Sequence, residues 1–261
     1  MKTKNVLFLL SFAVVLFISS CKSTPNNEQA ATESPAVEEP EMNALTEAEK
    51  EAGWILMFDG ENFEGWRGYD KDSFPTQGWI IEDHALKCKG SGEGEAGGQG
   101  GDIIYDQKFK DFHLSLEWKI SEGGNSGIFY LAQELEGEPI WKSAPEMQVL
   151  DNERHLDANL GKDGNRKAGS LYDLIPAKPQ NAKPAGEWNH AEVLVYQGTV
   201  VHKQNGEVVV EYHIGTPDFE AMIAGSKFKD FEHFGEYISG YIGLQDHGND
   251  VWFRNIKIKE L

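Results

Sequence analysis

Two short runs carry the residue types that could do chemistry: Glu146-Met147-Gln148-Val149-Leu150-Asp151 and Gly243-Leu244-Gln245-Asp246-His247-Gly248, the second followed by Phe253-Arg254-Asn255. Side chains alternate between faces in an extended strand, so Glu146 and Gln148 project together, about 6 to 7 Å apart. Gln245 and His247 project together by the same rule. One sheet face bearing a carboxylate, two amides, an imidazole and a guanidinium could move protons on a polyhydroxylated ligand. Solvated strand positions are the plain alternative.

Such a face needs a sheet, and the sequence supplies one. Phe112, Leu114, Leu116, Trp118 and Ile120 alternate with His113, Ser115, Glu117 and Lys119, the period of a strand with one buried side. Thr199 to Gln204 and Glu207 to Tyr212 flank Asn205-Gly206, a strong hairpin signal. Further strands are expected at Trp54 to Phe58, Trp79 to Cys88 folded back at Glu82-Asp83-His84, Ile103 to Tyr105, Gly127 to Leu131, Glu146 to Leu150, Leu171 to Ile175, Trp188 to Tyr196, Tyr241 to Gln245 and Val251 to Lys259. Helix is limited to Leu45 to Ala52, opened by the capping-box pair Thr46 and Glu49, and to a turn or two near Asp218 to Ala224. The expected fold is all-β, a single two-sheet sandwich over residues 44–261.

The N-terminal residues read as an address. Lys2 and Lys4 precede an apolar run, Val6 to Ile18, too short to span a bilayer, and Ile18-Ser19-Ser20-Cys21 places a cysteine after small residues. This resembles a bacterial lipobox, which implies a signal peptide over residues 1–20 and a lipidated Cys21. The mature protein would be held at the cell envelope through its lipid, without crossing the membrane. Residues 21–43 are rich in Ser, Thr, Pro, Ala, Asn and Glu and read as a flexible tether.

With 43 acidic against 24 basic residues the formal net charge is −19, which repels phosphate backbones and argues against nucleic acid as a partner. Once Cys21 is lipidated only Cys88 remains, in an apolar strand pattern that suits a packed thiol, and no internal disulfide is possible. Gly90 to Gly101 is glycine-rich, but no Gly-Lys-Ser or Gly-Lys-Thr follows and Glu93 and Glu95 would repel an anion. A mobile loop at the sheet rim fits better than a phosphate cradle.

The eight histidines show no metal-ligand spacing. His113 and His202 fall at polar strand positions, and His155, His213 and His233 lie in expected loops, so all five read as solvated. A divalent cation at Glu146 with His247 stays open, and no calcium loop is legible around Asp250 or Glu122. Trp54 and Trp118 sit in strand registers that suit packing, whereas Trp141, in the loop before Glu146, suits a pocket wall.

Several ordered motifs coincide over nearly all of Ala48 to Leu261. They are Gly53-Trp54 through Phe58-Asp59-Gly60, Trp66, Gly124-Asn125-Ser126-Gly127, Glu146 to Asp151, Gly169-Ser170-Leu171-Tyr172, Trp188-Asn189, Leu244-Gln245-Asp246-His247-Gly248 and Phe253-Arg254-Asn255-Ile256. Together they resemble the 3-keto-disaccharide hydrolase family. That resemblance implies a concanavalin-like jelly roll and action on glycosides oxidised at C3, with an upstream sugar oxidoreductase as a functional partner.

Laminarinase-type jelly-roll glycosidases carry Glu-x-Asp-x-x-Glu, two glutamates acting as nucleophile and acid. Here the spacing reads Glu146-x-Gln148-x-x-Asp151, with an amide in the middle and a shorter acid at the end. A ketone at C3 offers another route, because it acidifies the hydrogen on C2, and its removal expels the C1 oxygen by β-elimination. Water then adds to the enone. The expected roles are Glu146 as base, His247 as acid or second base, and Arg254 with Asn125 or Gln148 as enolate and hydroxyl binders. Glu146 and His247 could exchange roles. Asp151, Tyr172, Gln245 and Trp141 complete the expected binding set, and Arg254 could instead form a buried ion pair with an acid such as Asp151. A non-catalytic carbohydrate-binding protein, a structural envelope protein and a conventional laminarinase-like glycosidase are the competing classes.

Overall fold

A computed structural model describes residues 41–91 and 99–261. The signal peptide, residues 21–40 of the expected tether with Cys21, and Glu93 and Glu95 of the glycine-rich stretch lie outside these residues. Asn43, expected as the tether's last residue, is instead buried, its N–H donating to Asn255 Oδ1 at 2.6 Å and its Nδ2 to His84 O at 2.7 Å. The strands are β1 Trp54–Leu56, β2 Trp66–Gly68, β3 Trp79–Glu82, β4 Ala85–Cys88, β5 Ile103–Phe109, β6 Phe112–Ile120 and β7 Asn125–Ala132. They continue with β8 Glu146–Leu150, β9 Asn189–Tyr196, β10 Thr199–Gln204, β11 Glu207–His213, β12 Gly240–Leu244 and β13 Val251–Glu260. Two short α-helices, α1 Glu47–Glu51 and α2 Pro217–Ala224, complete the regular structure with 3-10 turns at Ile140–Lys142 and Leu156–Asn159.

The strands form two antiparallel sheets. The larger has eight strands in the order β11-β10-β9-β6-β13-β4-β3, with β1 added against β13, and the smaller has five, β2-β5-β12-β7-β8. Apolar side chains of both sheets meet in one core, including Trp118, Leu114, Val193 and Phe253 from the larger and Ile128, Met147, Val149 and Leu244 from the smaller. This is the two-sheet sandwich that the alternating pattern requires. Cys88 is packed inside it, where burial pushes its thiol well above the usual range.

Local signals explain the element ends. Thr46 and Glu49 close a reciprocal capping box at the start of α1. At the β10–β11 turn Asn205 (φ 50°) and Gly206 (φ 85°) both lie in the left-handed region, as a two-residue hairpin of matching twist demands.

Burial differs between the sheets in a way that matters for function. Along β9 of the large sheet, buried residues alternate with partly exposed ones, so one face meets solvent. Every residue of β7 and β8 is buried, so the small sheet is covered on both faces. The second cover consists of the 140–144 turn and the loop after α2, joined by a Gly235 N–H donating to Ser143 O at 3.2 Å.

Four further readings need correction. Leu171 to Ile175 is not a strand: it makes isolated bridges, Met147 to Leu171 and Leu171 to Ile175, because the chain turns back with Leu174 and Ile175 N–H both donating to Leu171 O. Trp66–Gly68 is a strand the pattern did not announce, being only three residues long. His202 is fully buried, not solvated: it shares the inward face of β10 with Val200, Nδ1 lies 3.1 Å from Gly169 O, and Nε2 lies 2.7 Å from the Tyr130 hydroxyl. Burial depresses its pKa to about 4, which keeps the ring neutral. His155 is likewise buried, its Nδ1 accepting from Asp157 N–H at 3.1 Å as the cap of the Leu156–Asn159 turn.

Candidate active site

The small sheet assembles the site from three neighbouring segments. β8 pairs with β7 in a register that sets Phe129 opposite Glu146 and Gly127 opposite Gln148. On the other flank of β7, β12 continues past Leu244 into Gln245, whose N–H donates to Gly127 O at 3.0 Å. Beyond the far edge of β8 runs the Gly169–Tyr172 segment, where Tyr172 N–H donates to Glu146 O at 3.0 Å. Glu146, Gln148, Gln245, His247, Asn125 and Tyr172 thereby line one cavity of about 280 Å³. Alternation along β8 and along 245–247 is what brings four of these together.

Gly127 makes room for the carboxylate. A Cβ at this position would collide with Cγ, Cδ and Oε1 of Glu146, so the whole acidic side chain lies across the glycine. The Glu146 side chain has no hydrogen bond or ion pair among the described residues and is only 7% exposed. Burial therefore lifts its pKa to about 8, against the pull of Lys227, with Asp102 and Asp157 adding to the rise.

His247 is positioned through its neighbour. Asp246 accepts from Gly100 and Gly101 N–H at 3.0 Å each and from Gly248 N–H at 3.1 Å, while its own N–H donates to Asp102 Oδ1 at 2.9 Å. These bonds fix the turn bearing Gln245 and His247. Asn125 Nδ2 lies 3.4 Å from His247 Nε2. Asn125 Oδ1 and Gln245 Oε1 are buried acceptors with no protein donor, which suits a ligand rich in hydroxyl groups. Gln148 Oε1 accepts from Val149 N–H at 3.0 Å, so what it offers a ligand is its NH2 group.

The opposite wall is apolar, built from Trp141, Ala144, Tyr172, Phe228 and Phe231. Trp141, 40% exposed, sits at 5.5 Å from the Phe231 ring. The Tyr172 hydroxyl donates to Asp157 Oδ2 at 2.7 Å, so its ring serves as wall while its oxygen is engaged elsewhere. Lys227 enters along this wall with Nζ 4.0 Å from the Tyr172 ring centre and 5.3 Å from that of Phe228. A polar wall and an aromatic one, with a lysine beside them, suit a small ligand that has both polar and apolar faces.

Residues 53–259 match the family described as the 3-keto-alpha-glucoside-1,2-lyase-like domain. The chain belongs to this family. A member from Bacteroides thetaiotaomicron, named 3-keto-disaccharide hydrolase, is 53% identical over 255 residues, covering 90% of this chain and 88% of the relative. The crystal structure of a candidate glycosyl hydrolase from Parabacteroides distasonis superposes with a TM-score of 0.74 at 30% identity, over 84% of this chain and 99% of that one. A second from the same organism, at TM-score 0.59 and 24% identity over 80% and 99%, shares the fold. The jelly-roll architecture expected from the family resemblance is the one observed.

Two residues expected in the family's site lie outside the cavity. Arg254 is on β13 of the large sheet, where Nε meets Glu117 Oε2 at 2.6 Å and the guanidinium stacks 4.0 Å over Trp188. Its neighbour Phe253 points into the core, which sends Arg254 to the outer face. The ion-pair alternative is the observed one, with Glu117 and not Asp151 as the acid. Asp151 organises a turn, accepting from Gly123 N–H at 2.7 Å and Glu153 N–H at 3.0 Å.

Lys227, Phe228 and Phe231 line the cavity without having been expected there. They belong to the loop after α2, and the one available signal was a Lys-Phe-x-x-Phe-x-x-Phe spacing of aromatics, Phe228, Phe231 and Phe234, in an otherwise polar segment. Among the described residues no three His, Cys, Asp or Glu side chains are grouped to hold a metal ion. Glu122 and Asp250, the acids weighed for calcium, pair instead with Arg154 and Lys87.

Proposed function

We propose that this protein cleaves 3-keto-glycosides by removing the C2 proton, expelling the C1 oxygen and hydrating the resulting enone. It is a glycosidase-like enzyme of its family, and the name of its Bacteroides relative points to 3-keto-disaccharides as substrates. The observation carrying the elimination route is that, among the described residues, Glu146 is the one carboxylate lining the cavity. Double displacement and single inversion each need two carboxyl groups across the glycosidic bond. Asp151, at the position of the second glutamate, is committed to its turn, and Gln148 replaces the acid between them. Elimination needs one base, one proton donor and a group that accepts electrons at C3.

Glu146 takes the proton on C2, and His247, across the cavity, delivers a proton to the departing C1 oxygen. Asn125 Oδ1 and Gln245 Oε1 accept from sugar hydroxyls, and Gln148 donates to them. Lys227 takes the place at the C3 carbonyl that Arg254 cannot reach. Trp141 and Phe231 carry the leaving group where the cavity opens. The substrate requires an oxidoreductase acting at C3 upstream, and the lipobox reading places the enzyme at the cell envelope. The test is to compare release of the aglycone from a 3-keto-glucoside and from its unoxidised parent. Cleavage of the ketone form alone is expected, and equal rates on both would restore an ordinary glycosidase.

A further inference from the structure

The elimination reading leaves a difficulty in the base. A carboxyl group with a pKa of about 8 is mostly protonated near neutrality, yet the reaction needs it ionised at the moment C2–H breaks. Its surroundings contain one cation, Lys227, and that residue is itself unusual. No carboxylate lies within ion-pair distance of Nζ among the described residues, and the amine rests instead against the faces of Tyr172 and Phe228. Burial lowers its pKa against the opposing pull of Glu146, which favours the uncharged, nucleophilic amine. A lysine held against an apolar wall, in the same cavity as a buried acid, is an arrangement that suits imine chemistry.

We propose that Lys227 is the electron sink of the reaction, adding through Nζ to the C3 ketone and carrying the elimination as an imine. This rests on the elimination reading and specifies how it proceeds. The Nζ–C3 bond forms as the carbonyl π pair moves to oxygen, and a proton passes from nitrogen to that oxygen, giving a carbinolamine. The protonated Glu146 gives its proton to the hydroxyl, which leaves as water, so an iminium ion and the Glu146 carboxylate appear together. The carboxylate then takes the C2 proton, and the C–H pair forms the C2=C3 bond of an enamine as the C=N pair returns to nitrogen. The nitrogen pair pushes back, C1=C2 forms, and the C1–O bond breaks with His247 protonating the departing oxygen. Water attacks C3 and releases Lys227 and the enone, and a further water adds across C1=C2.

The sequence removes the difficulty with the base. Glu146 acts first as the acid that its burial favours, and becomes a base only once a cation has been created beside it. A raised carboxyl and a lowered amine are then two halves of one device. A purely electrostatic Lys227 would instead be served by a permanent charge, which arginine would supply.

The decisive experiment follows oxygen. A 3-keto-glucoside labelled with 18O at C3 is turned over by the wild-type enzyme, and the 3-keto sugar product is compared with a no-enzyme control for label. Imine formation exchanges the C3 oxygen with solvent, so loss of label well beyond the control is expected, and full retention overturns the proposal. In parallel, the enzyme is incubated with a 3-keto sugar lacking a C1 leaving group and with cyanoborohydride. A reduced adduct on the peptide containing Lys227 supports the imine, and its absence alongside retained label overturns it. The Lys227→Arg variant should lose more than about a hundredfold in kcat while retaining the wild-type melting temperature, because charge is kept and the nucleophile is lost. A variant within about tenfold of wild type would leave Lys227 as a charge only. If label is retained but C2 deuteration still slows turnover, the imine fails and the elimination survives. If cleavage does not need the ketone, the elimination reading itself fails.

Discussion

The two sheets each display a cluster of acids, bases and histidines, and the clusters differ in how completely they satisfy themselves. On the outer face of the large sheet Arg254 pairs with Glu117, His113 Nε2 meets Glu192 at 2.6 Å, Ser115 Oγ lies 2.9 Å from His190 Nε2, and Lys257 pairs with Glu49. Ser115, His190 and Glu192 even imitate a hydrolytic triad, but His190 Nδ1 is 3.9 Å from Glu192, whose other oxygen is held by His113. Ser115, Glu117, His190 and Lys257 line a smaller pocket of about 170 Å³, and the charged groups of this face neutralise one another. On the covered face of the small sheet Glu146 and Lys227 have no such partners, and two amide oxygens wait for donors. Paired charges at a surface contribute little beyond solubility and modest stability, whereas unpaired buried ones persist at a cost that function must justify.

The contrast breaks if Glu146 proves dispensable. Glu146→Gln keeps the shape and hydrogen bonding of the side chain but cannot transfer a proton, so kcat should fall by about two to four orders of magnitude with ligand binding nearly intact. A variant retaining more than a tenth of the wild-type rate would move the base to His247.

The same substitution should make the protein more stable. Glu146 is protonated up to about pH 8 when folded but only to its ordinary value of 4.5 when unfolded. Across that window the folded state binds the extra proton, so stability falls as pH rises from about 4.5 to 8 and is level beyond it. Glutamine has no such loss. Thermal melts should show Glu146→Gln above wild type at pH 8, with the gap closing towards pH 5. A constant gap would mean that the carboxyl is not strained by burial.

The aromatic wall offers a smaller effect. Trp141→Ala removes a half-exposed ring at the mouth and should raise KM severalfold for substrates with a bulky aglycone, an aromatic contact being worth about 0.5–1.5 kcal/mol. An unchanged KM would place the leaving group elsewhere. Smallest of all should be Arg254→Met with Glu117→Gln, which dissolves the outer pair at a cost of about 1 kcal/mol or less in denaturant titration and leaves kcat untouched. Loss of turnover in that double variant would erase the distinction between the two clusters.

Much of this is legible in the sequence alone. Alternation along Glu146–Leu150 set Glu146 and Gln148 on one face, and Asn205-Gly206 fixed a hairpin, because strand period and turn chemistry are local. The placement of Arg254 failed for a reason the pattern itself contained: Phe253 in an apolar register forces its neighbour outward, onto whichever sheet β13 joins. Lys227 and Phe231 were out of reach, since a loop after α2 carries no periodicity and its docking over the 140–144 turn is settled by tertiary contacts. His202 misled for the opposite reason, a polar side chain standing on the buried side of a strand and satisfied there by a tyrosine and a backbone carbonyl.

Gly127 has a consequence for how the family can change over time. Every single-nucleotide replacement of a glycine codon by another sense residue adds at least one carbon, and any carbon at 127 takes the space in which Glu146 lies. No gradual route therefore leads from this position to a larger residue with the carboxylate still in place. A lineage that loses the glycine must move the carboxylate in the same step, so a variant at 127 marks a descendant whose acid no longer lies where Glu146 lies here.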